Sequence, residues 1–379
     1  MDSTGPIARR FPLVARARPA CTQLDVRIGE LCALAEAARR DGDPTKASVV
    51  FNQAALLASD VDLPDLARAW CHRHAELCLR ACPLGAQAAR RALEPLVNLA
   101  RLRIRDGDGD AALQLLSDLF EAVTARVDTV VDGLPVPAAT LTTTADDHRE
   151  VRRWLWGALL AEGARALTGA GRWQDALTHL RRHNGIGRRM LDGRQVEVIA
   201  TATAGDAHGA LTLLASTLPG EPWENAVTAC LTVLCHRDGH RPVELDLDVM
   251  LDRYRQLVPA PGLAVFGARL GMVAFDAAER ARHPGAGKVA TELIQRAVAS
   301  RDGYAAREVL AHERCAMMLT VEQARELADV LNICALGCQM LPARLEVDLS
   351  AALDVSEAVL STAGRRGQRL ASEDERAVP

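Results

Sequence analysis

The stretch Gly42-Asp43-Pro44-Thr45-Lys46-Ala47, followed by Phe51, decides the fold of this chain. Its skeleton is a glycine, an alanine five residues later and an apolar residue four residues after the alanine. The recurrence of one phrase along a chain is typical of a repeat architecture. The same skeleton returns at Gly107, Ala112 and Leu116, at Gly171, Ala176 and Leu180, and at Gly205, Ala210 and Leu214.

Each residue of the phrase has a physical role. Glycine adopts a positive φ without a steric penalty, so it can end a helix, and the polar residues after it begin the next one. Alanine allows two helices to approach closely, and the apolar residue four positions later lies on the same helix face. The phrase predicts antiparallel helix pairs in which the four alanines are buried at close contacts. These alanines are Ala47, Ala112, Ala176 and Ala210.

The spacing of the glycines supports a repeat. Gly171 and Gly205 are 34 residues apart, whereas the two earlier intervals, from Gly42 to Gly107 and from Gly107 to Gly171, are 65 and 64 residues. The longer intervals are close to twice the shorter one, as if an irregular unit lay between them. A period of about 34 residues is that of tetratricopeptide repeats.

The units resemble tetratricopeptide repeats in their first helices as well, which in that family carry a large apolar residue, a second apolar residue and a small one. The matching residues are Leu31, Leu34 and Ala35; Leu96, Leu99 and Ala100; and Leu160 and Ala164, with Gly163 in the middle position. Arg194 and Glu197 depart from the pattern in the fourth unit, although Pro222 stands at the family's closing proline. The resemblance covers about 28–222 and implies a right-handed superhelical stack of antiparallel helix pairs.

Composition points to the same class. Hydrophobic residues make up 49% of the chain but aromatic residues only 3%, and the alanine and leucine that dominate favour helices over strands. We predict an all-α solenoid with a flexible arm over 1–22, tetratricopeptide-like repeats over 23–222, further repeats of the same continuous solenoid over 223–363 and a disordered tail over 364–379. We also expect a long loop over 128–145 and a kink or break at Pro95.

Charge and segment composition narrow the partners and the compartment. The net charge of −4 does not predict direct binding to nucleic acid. Neither a secretory signal nor an apolar run of about 18 residues is found, which predicts a cytoplasmic protein without a membrane span. The ten cysteines are therefore expected to be reduced.

One group of soft side chains suggests a metal. Cys71, His74, Cys78 and Cys82 fall along one helix face, and such ligands suit zinc. A single straight helix cannot surround one ion with four ligands, so we interpret these residues as part of a helix–helix seam. We predict no bound metal and no cofactor.

Two groups of charged residues are candidates for binding. The resemblance implies that the first helices of the units line a groove, and an arginine-rich groove would select an acidic or C-terminal peptide through charge-assisted hydrogen bonds. The groove candidates are Glu36, Arg39, Arg101, Arg105 and Arg165. A second, denser basic stretch spans a predicted helix–turn–helix connection, and it is either an anion site or a solvated loop balanced by nearby acids. Its residues are Arg181, Arg182, Arg188, Arg189 and Arg194.

These features predict a scaffold or regulatory adaptor that binds an acidic or extended segment of a protein or peptide. The alternative is a peptide-modifying enzyme, for example in the maturation of peptide natural products, that uses Cys, His or the arginine-lined groove. A third possibility is a regulatory protein whose helical repeats occur without a DNA-binding domain. No catalytic signature is found, so binding is favoured over catalysis. The oligomeric state is left open, with a homodimer among the possibilities.

Overall fold

The computed structural model describes residue 2 and residues 4–238 and 244–376, without the side chains of 237, 238 and 366–376. This part of the chain contains 17 α-helices and a single two-stranded sheet. The predicted all-α class is therefore confirmed. None of the described helices combines the length and the apolar character that crossing a membrane requires.

The chain divides into two compact units, and each unit combines segments that are distant in sequence. Unit 1 comprises Met1–Gln23 and Leu167–Cys334, and unit 2 comprises Leu24–Ala166 and Ala335–Pro379. The predicted continuity of the repeats from 23 to 363 stays a prediction.

Unit 2 contains helices from both ends of its sequence. Helices α1 to α5 pack consecutively, α2 also packs on α4, and α17 packs against α1 and α2. The elements are α1 (Leu24–Asp41), α2 (Pro44–Asp60), α3 (Pro64–Leu79), α4 (Ala86–Arg105), α5 (Gly109–Ala125), β1 (Thr129–Val131), β2 (Leu134–Val136), most of α6 (Ala145–Gly169) and α17 (Ala343–Arg376).

Unit 1 contains the helices between α6 and α17. Helices α8, α10, α12 and α14 each pack on the next of the series, in addition to contacts between consecutive helices. The elements are α7 (Trp173–Arg182), α8 (Asp192–Thr203), α9 (Ala207–Ala215), α10 (Pro222–Asp238), α11 (Glu244–Arg255), α12 (Ala264–Arg280), α13 (Ala286–Ser300), α14 (Gly303–Ala311), α15 (Glu313–Met318) and α16 (Val321–Cys334).

The recurring phrase forms the predicted turns. Its four glycines have φ values between 62° and 90°. At Gly42, the N–H of Asp43 donates a 2.9 Å hydrogen bond back to the carbonyl of Ala38, and the Asp43 carboxylate caps α2. This is how a left-handed residue satisfies the last carbonyls of a helix. The four predicted alanines are all 0% exposed, which confirms their burial.

The phrase also occurs at two turns that the glycine pattern does not reveal. Asp62 has φ 64° and is followed at the same spacing by Ala67, and Arg301 has φ 50° and is followed by Ala306. Both alanines are 0% exposed. These turns were missed because a left-handed conformation of a residue other than glycine is imposed by the surrounding structure, against the residue's own preference.

Two local expectations change. Pro95 is buried within α4, which continues from Ala86 to Arg105, so the helix is not broken there. The predicted loop over 128–145 contains a β-hairpin in which Val131 pairs with Leu134. The two turn residues, Asp132 and Gly133, have φ values of 51° and 84°, the left-handed pair that a two-residue hairpin turn needs.

The predicted arm and tail have structure of their own. Several residues of the arm are at most 4% exposed within unit 1, namely Ile7, Ala8, Phe11, Leu13 and Cys21. At the other end, α17 continues to Arg376 and includes most of the predicted disordered tail. Residues 377–379 of that tail lie outside the described residues.

Candidate functional site

A ladder of polar contacts joins α2 to α4. At every seventh residue a side chain of α4 donates to a side chain of α2, and the partners are always 46 residues apart. A constant offset means that the two helices run parallel in a heptad register. The pairs are Arg91 with Thr45 at 3.5 Å, Asn98 with Asn52 at 3.1 Å, and Arg105 with Ser59 at 2.7 Å.

A buried carboxylate extends this ladder to α6. The side chain of Glu162 is only 6% exposed. It accepts a 2.8 Å hydrogen bond from Nε of Arg101 and a 3.0 Å bond from Arg165. Arg101 also donates to Oδ1 of Asn98 at 2.8 Å. The two arginine side chains remain 42% and 55% exposed, so the acid lies beneath them and they face outward.

A second buried carboxylate lies at the end of α2. The Asp60 side chain is 2% exposed and accepts hydrogen bonds from Arg27 at 2.7 Å and Arg105 at 3.1 Å. Because Arg101 and Arg105 are four residues apart, they share one face of α4. The ladder and the two carboxylate clusters therefore form one surface, which we call the arginine face.

The arginine face carries an excess of positive charge. It contains five arginines, Arg27, Arg91, Arg101, Arg105 and Arg165, and two carboxylates, so the sum is 5 − 2 = +3. A guanidinium has five N–H donors, so Arg101 and Arg105 keep donors on their outer side while they bond the carboxylates beneath them. The arrangement can therefore accept a further acid or carbonyl from solution.

The structure brings together three of the five predicted groove residues. Arg101, Arg105 and Arg165 lie on the arginine face, whereas Glu36 and Arg39 bond each other at 2.8 Å and are 54% and 65% exposed. Glu36 lies nine residues beyond Arg27 on α1, which is about two and a half helical turns, so the two side chains lie on opposite faces of the helix. This pair thus stands apart from the arginine face.

Sequence reasoning missed eight residues of the face, namely Arg27, Thr45, Asn52, Ser59, Asp60, Arg91, Asn98 and Glu162. A signal for part of the set was present, because both α2 and α4 carry polar residues at intervals of seven. Glu162 could also have been noticed one helical turn before Arg165, at a spacing that allows contact.

The second predicted group lies in unit 1, and its role as an anion site stays a prediction. Arg181 and Arg194 share the acceptor Glu197, and Arg188 and Arg194 both donate to Ser216. Arg194 is 6% exposed and bonds Glu197 at 2.9 Å, and Arg189 bonds Glu224 through Nε at 2.9 Å. Arg188 donates to the carbonyl of Ser216 at 3.1 Å, Arg181 lies 3.6 Å from Glu197, and Arg182 ends α7. These contacts favour the interpretation as a connection balanced by nearby acids.

A third buried carboxylate anchors the hairpin. Asp132 accepts hydrogen bonds from Arg68 at 2.8 Å, from Arg103 at 2.7 Å, and lies 2.7 Å from Nε2 of His72. Burial alone would raise the pKa of this carboxyl, but the three hydrogen bonds outweigh it and lower the pKa to about 2. Since Arg68 and His72 belong to α3 and Arg103 to α4, the cluster fixes the hairpin to these helices.

Three residues of the cysteine–histidine group, Cys71, His74 and Cys78, lie on α3, whereas Cys82 follows the end of this helix at Leu79 and does not share its face. Cys71 is 2% and His74 1% exposed, and the His74 ring stacks on Phe51 of α2 at 5.1 Å. Burial raises the pKa of the Cys71 thiol to about 12 and those of Cys78 and Cys82 to about 11. A thiol must be deprotonated to act as a nucleophile, so these environments do not favour cysteine chemistry.

The same group lacks the arrangement of a metal centre. Burial lowers the pKa of His74 to about 3, so the imidazole is neutral near pH 7. Over the described part of the chain, no three His, Cys, Asp or Glu side chains converge in a way that could hold a metal ion.

An open cleft of about 410 Å³ lies between α9 and α10 in unit 1. Its lining includes His208 and His236, and Nδ1 of His236 lies 2.5 Å from a carboxylate oxygen of Asp246. The hydroxyls of Thr212 and Thr232 line it too, but each donates to a backbone carbonyl of its own helix. Among the described lining residues, neither of these hydroxyls bonds a histidine as an activated nucleophile would.

The chain was compared with protein-family models, with curated proteins and with solved structures, and no match was found in any of the three. The fold and the site define its class as an all-helical protein with a positively charged polar face. A more specific assignment of repeat family and function depends on the turns and side-chain contacts of this chain.

Proposed function

We propose that this chain is a helical-repeat scaffold that binds an acidic, extended segment of a protein or peptide on the arginine face. The partner is a polypeptide, and the recognition is by charge and by main-chain hydrogen bonds. Catalysis is not part of the proposal.

The repeat assignment is supported by the turns. Six helix pairs are joined through a left-handed residue followed five positions later by a fully buried alanine, two of them with Asp62 or Arg301 in place of glycine. In unit 1 the alternate helices α8, α10, α12 and α14 also pack in series. Such alternation is what a tetratricopeptide-like solenoid with a right-handed superhelix requires, and we include that architecture in the proposal.

The observation that carries the function is the placement of the arginines over buried acids. Because the Glu162 and Asp60 side chains are 6% and 2% exposed, they fix Arg101 and Arg105 without covering them. Fixed guanidinium groups lose less conformational entropy on binding than mobile ones. The face is thus preorganised for a carboxylate.

The amides of the ladder add a second type of recognition. Asn52 and Asn98 form the ladder pair next to Arg101 and are half-buried. An amide side chain both donates and accepts, so it can bond the unpaired main-chain groups of an extended segment. An acidic segment in extended conformation therefore fits this face better than a folded anionic surface.

The alternative of a peptide-modifying enzyme receives little support. The buried thiols of α3 have raised pKa values, and the histidine-lined cleft offers hydroxyls that are already bonded to their own helices. Both features work against an activated nucleophile.

The test uses a labelled peptide of alternating Glu and Ser with blocked ends, and a control in which Lys replaces every Glu. We expect the full-length protein to bind the acidic peptide and not the basic control, with hydrogen exchange slowed in residues 52–60 and 98–105. Equal binding of both peptides, or protection confined to other helices, would contradict the proposal.

A further inference from the structure

In unit 1, the backbone of Leu13 is bonded by the side chain of Gln195 on α8. The N–H of Leu13 donates to Oε1 of Gln195 at 2.7 Å, and Nε2 of Gln195 donates to the carbonyl of Leu13 at 2.7 Å. Gln195 is 0% exposed. The amide supplies the two hydrogen bonds that a neighbouring β-strand would supply, so it recognises main chain irrespective of sequence.

The side chains around Leu13 alternate in burial. Phe11 and Leu13 are each 3% exposed, whereas Pro12 and Val14 between and after them are half-buried. Alternation over two residues is the pattern of an extended chain with one side against a surface. From Arg16 to Ala20 the side chains are exposed, before Cys21 is buried again.

Three of the four arginines of this segment contact acids or an aromatic ring. Arg10 bonds Asp276 on α12 at 2.6 Å, and Arg16 bonds Asp192 at the start of α8 at 2.6 Å. The guanidinium of Arg18 lies 4.8 Å from the centre of the Tyr304 ring on α14, a cation–π contact. The surface beneath the segment is thus complementary in charge.

The segment runs antiparallel to α12. Arg10 contacts Asp276 near the end of this helix, whereas the N–H of Arg18 donates to the carbonyl of Gly262 just before its start, at 3.3 Å. Fourteen helical residues span about 21 Å, and eight extended residues span up to about 28 Å. Residues Ala8–Arg10 form a short 3₁₀ helix, and the backbone becomes extended at Phe11. The extended chain that follows is long enough to cover this distance.

Gly262 permits the closest approach. Its φ is +76°, and a Cβ atom there would lie 2.7 Å from the carbonyl oxygen of Arg18. Both the backbone conformation and the space require glycine. Beyond it, the carbonyl of Cys21 accepts a 2.8 Å bond from the N–H of Gly303.

A main-chain clamp, alternate apolar anchors and complementary charges are the contacts of a bound extended peptide. We propose that α8, α12 and α14 of unit 1 form a second peptide-binding surface, for extended basic segments, and that residues 7–21 of the chain itself occupy it. An external ligand of this surface would carry the same pattern as Phe11, Leu13, Arg16 and Arg18. That pattern is an aromatic residue two positions before a leucine, and two arginines three and five positions after the leucine. The proposal is independent of the arginine face, which would take acidic segments.

The experiment uses full-length protein and a labelled peptide with the sequence of residues 6–20, Pro-Ile-Ala-Arg-Arg-Phe-Pro-Leu-Val-Ala-Arg-Ala-Arg-Pro-Ala. The internal segment is weakened by Phe11→Ala/Leu13→Ala, which leaves the surface itself unchanged. A scrambled peptide of the same composition controls for charge alone. The peptide is followed by fluorescence anisotropy and by its effect on the melting temperature.

We expect the wild-type protein to bind weakly, because its surface is occupied. The Phe11→Ala/Leu13→Ala variant should bind roughly tenfold or more tightly, since a larger fraction of its surface is vacant, and the peptide should raise its melting temperature. Adding Gln195→Ala should remove most of this gain. The scrambled peptide should not distinguish the variants.

Four results would overturn the proposal. The folded double variant could fail to bind the peptide. It could also bind the peptide equally well with and without the added Gln195→Ala substitution, which would exclude the clamp. The double variant could also unfold without rescue by the peptide, which would make residues 7–21 part of the core and not an occupant. Binding of the scrambled peptide as tightly as the native sequence would reduce the interaction to charge.

Discussion

Asn98 on α4 donates a 3.1 Å hydrogen bond to Oδ1 of Asn52 on α2, and the same Asn98 accepts from Arg101 at 2.8 Å. The two asparagines are 46 residues apart in sequence. Their hydrogen bond joins α2 to α4 and, through Arg101, to the cluster around Glu162. The order of the arginine face therefore depends on neutral amides as well as on its charges.

We predict that Asn52 and Asn98 are coupled. Either Asn52→Ala or Asn98→Ala should lower the free energy of unfolding by about 0.5–1.5 kcal/mol, because the remaining half-buried amide loses a partner. The double variant should cost less than the sum. Urea unfolding of the full cycle measures the coupling, and strict additivity would mean that the two amides do not interact.

We predict that Asp132→Asn destabilises the protein in a pH-dependent way. The folded pKa of about 2 lies below the ordinary value of 3.8. The charged form is thus favoured in the folded state, and its stabilisation is complete above about pH 4 and lost as pH falls towards about 2. We expect a loss of about 1–3 kcal/mol near pH 7.

Urea unfolding of this variant and of the wild type at several pH values checks the prediction. The difference in unfolding free energy should shrink as pH falls through this window. Asp146→Asn, at an 82% exposed side chain, is the control and should change little. A difference for Asp132→Asn that stayed constant from pH 7 to about 2.5 would show that its charge is not involved.

We predict that the two additional turns behave like the glycine turns. Ala67→Leu and Ala306→Leu should each cost about 1–3 kcal/mol, as should Ala112→Leu, because the larger side chain separates closely packed helices. Ala33→Leu, at an exposed position of α1, is the matched control. Melting temperatures of Ala67→Leu and Ala306→Leu equal to that of the control would remove these turns from the repeat.

We predict that Gly262→Ala releases the N-terminal segment. Gly107 also has a positive φ, but a Cβ atom there would meet nothing within 4 Å, so Gly107→Ala has only the conformational cost of about 1–2 kcal/mol. Trypsin under native conditions should cleave after Arg16 faster in Gly262→Ala than in Gly107→Ala. Equal cleavage rates would mean that the close approach at Gly262 does not hold the segment.

The predictable part of the fold is the part with local causes. Gly42 and Gly107 reveal their turns because glycine alone adopts a positive φ without a penalty. At Asp62 and Arg301 the same conformation is imposed by packing. Residues 1–22, rich in proline and arginine, indicate a flexible arm, yet Leu13 is bonded by a glutamine 182 residues away.

The candidate site was predictable to a similar extent. Arg101 and Arg105 can be found because they share a helix face, but their acidic partners are 61 and 45 residues distant in sequence. No local pattern connects Glu162 to Arg101, so their contact follows only from the packing of α4 beside α6. Local sequence likewise did not separate Glu36 and Arg39 from the groove candidates, although in the structure they bond each other.

The central claim is that the arginine face binds an acidic segment. The most direct measurement is the dissociation constant of the Glu-Ser peptide for the wild type, for Arg101→Ala/Arg105→Ala and for Arg149→Ala, an exposed arginine that bonds Asp146 of its own helix. Each protein is measured at about 0.05 M and about 0.5 M salt, because screening weakens exposed charge pairs.

The account predicts that the double variant weakens binding by roughly tenfold or more at low salt, corresponding to the loss of charge-assisted contacts. The wild type and Arg149→Ala should bind equally well and should both lose affinity at high salt. Binding of the double variant with wild-type affinity at both salt concentrations would contradict the claim.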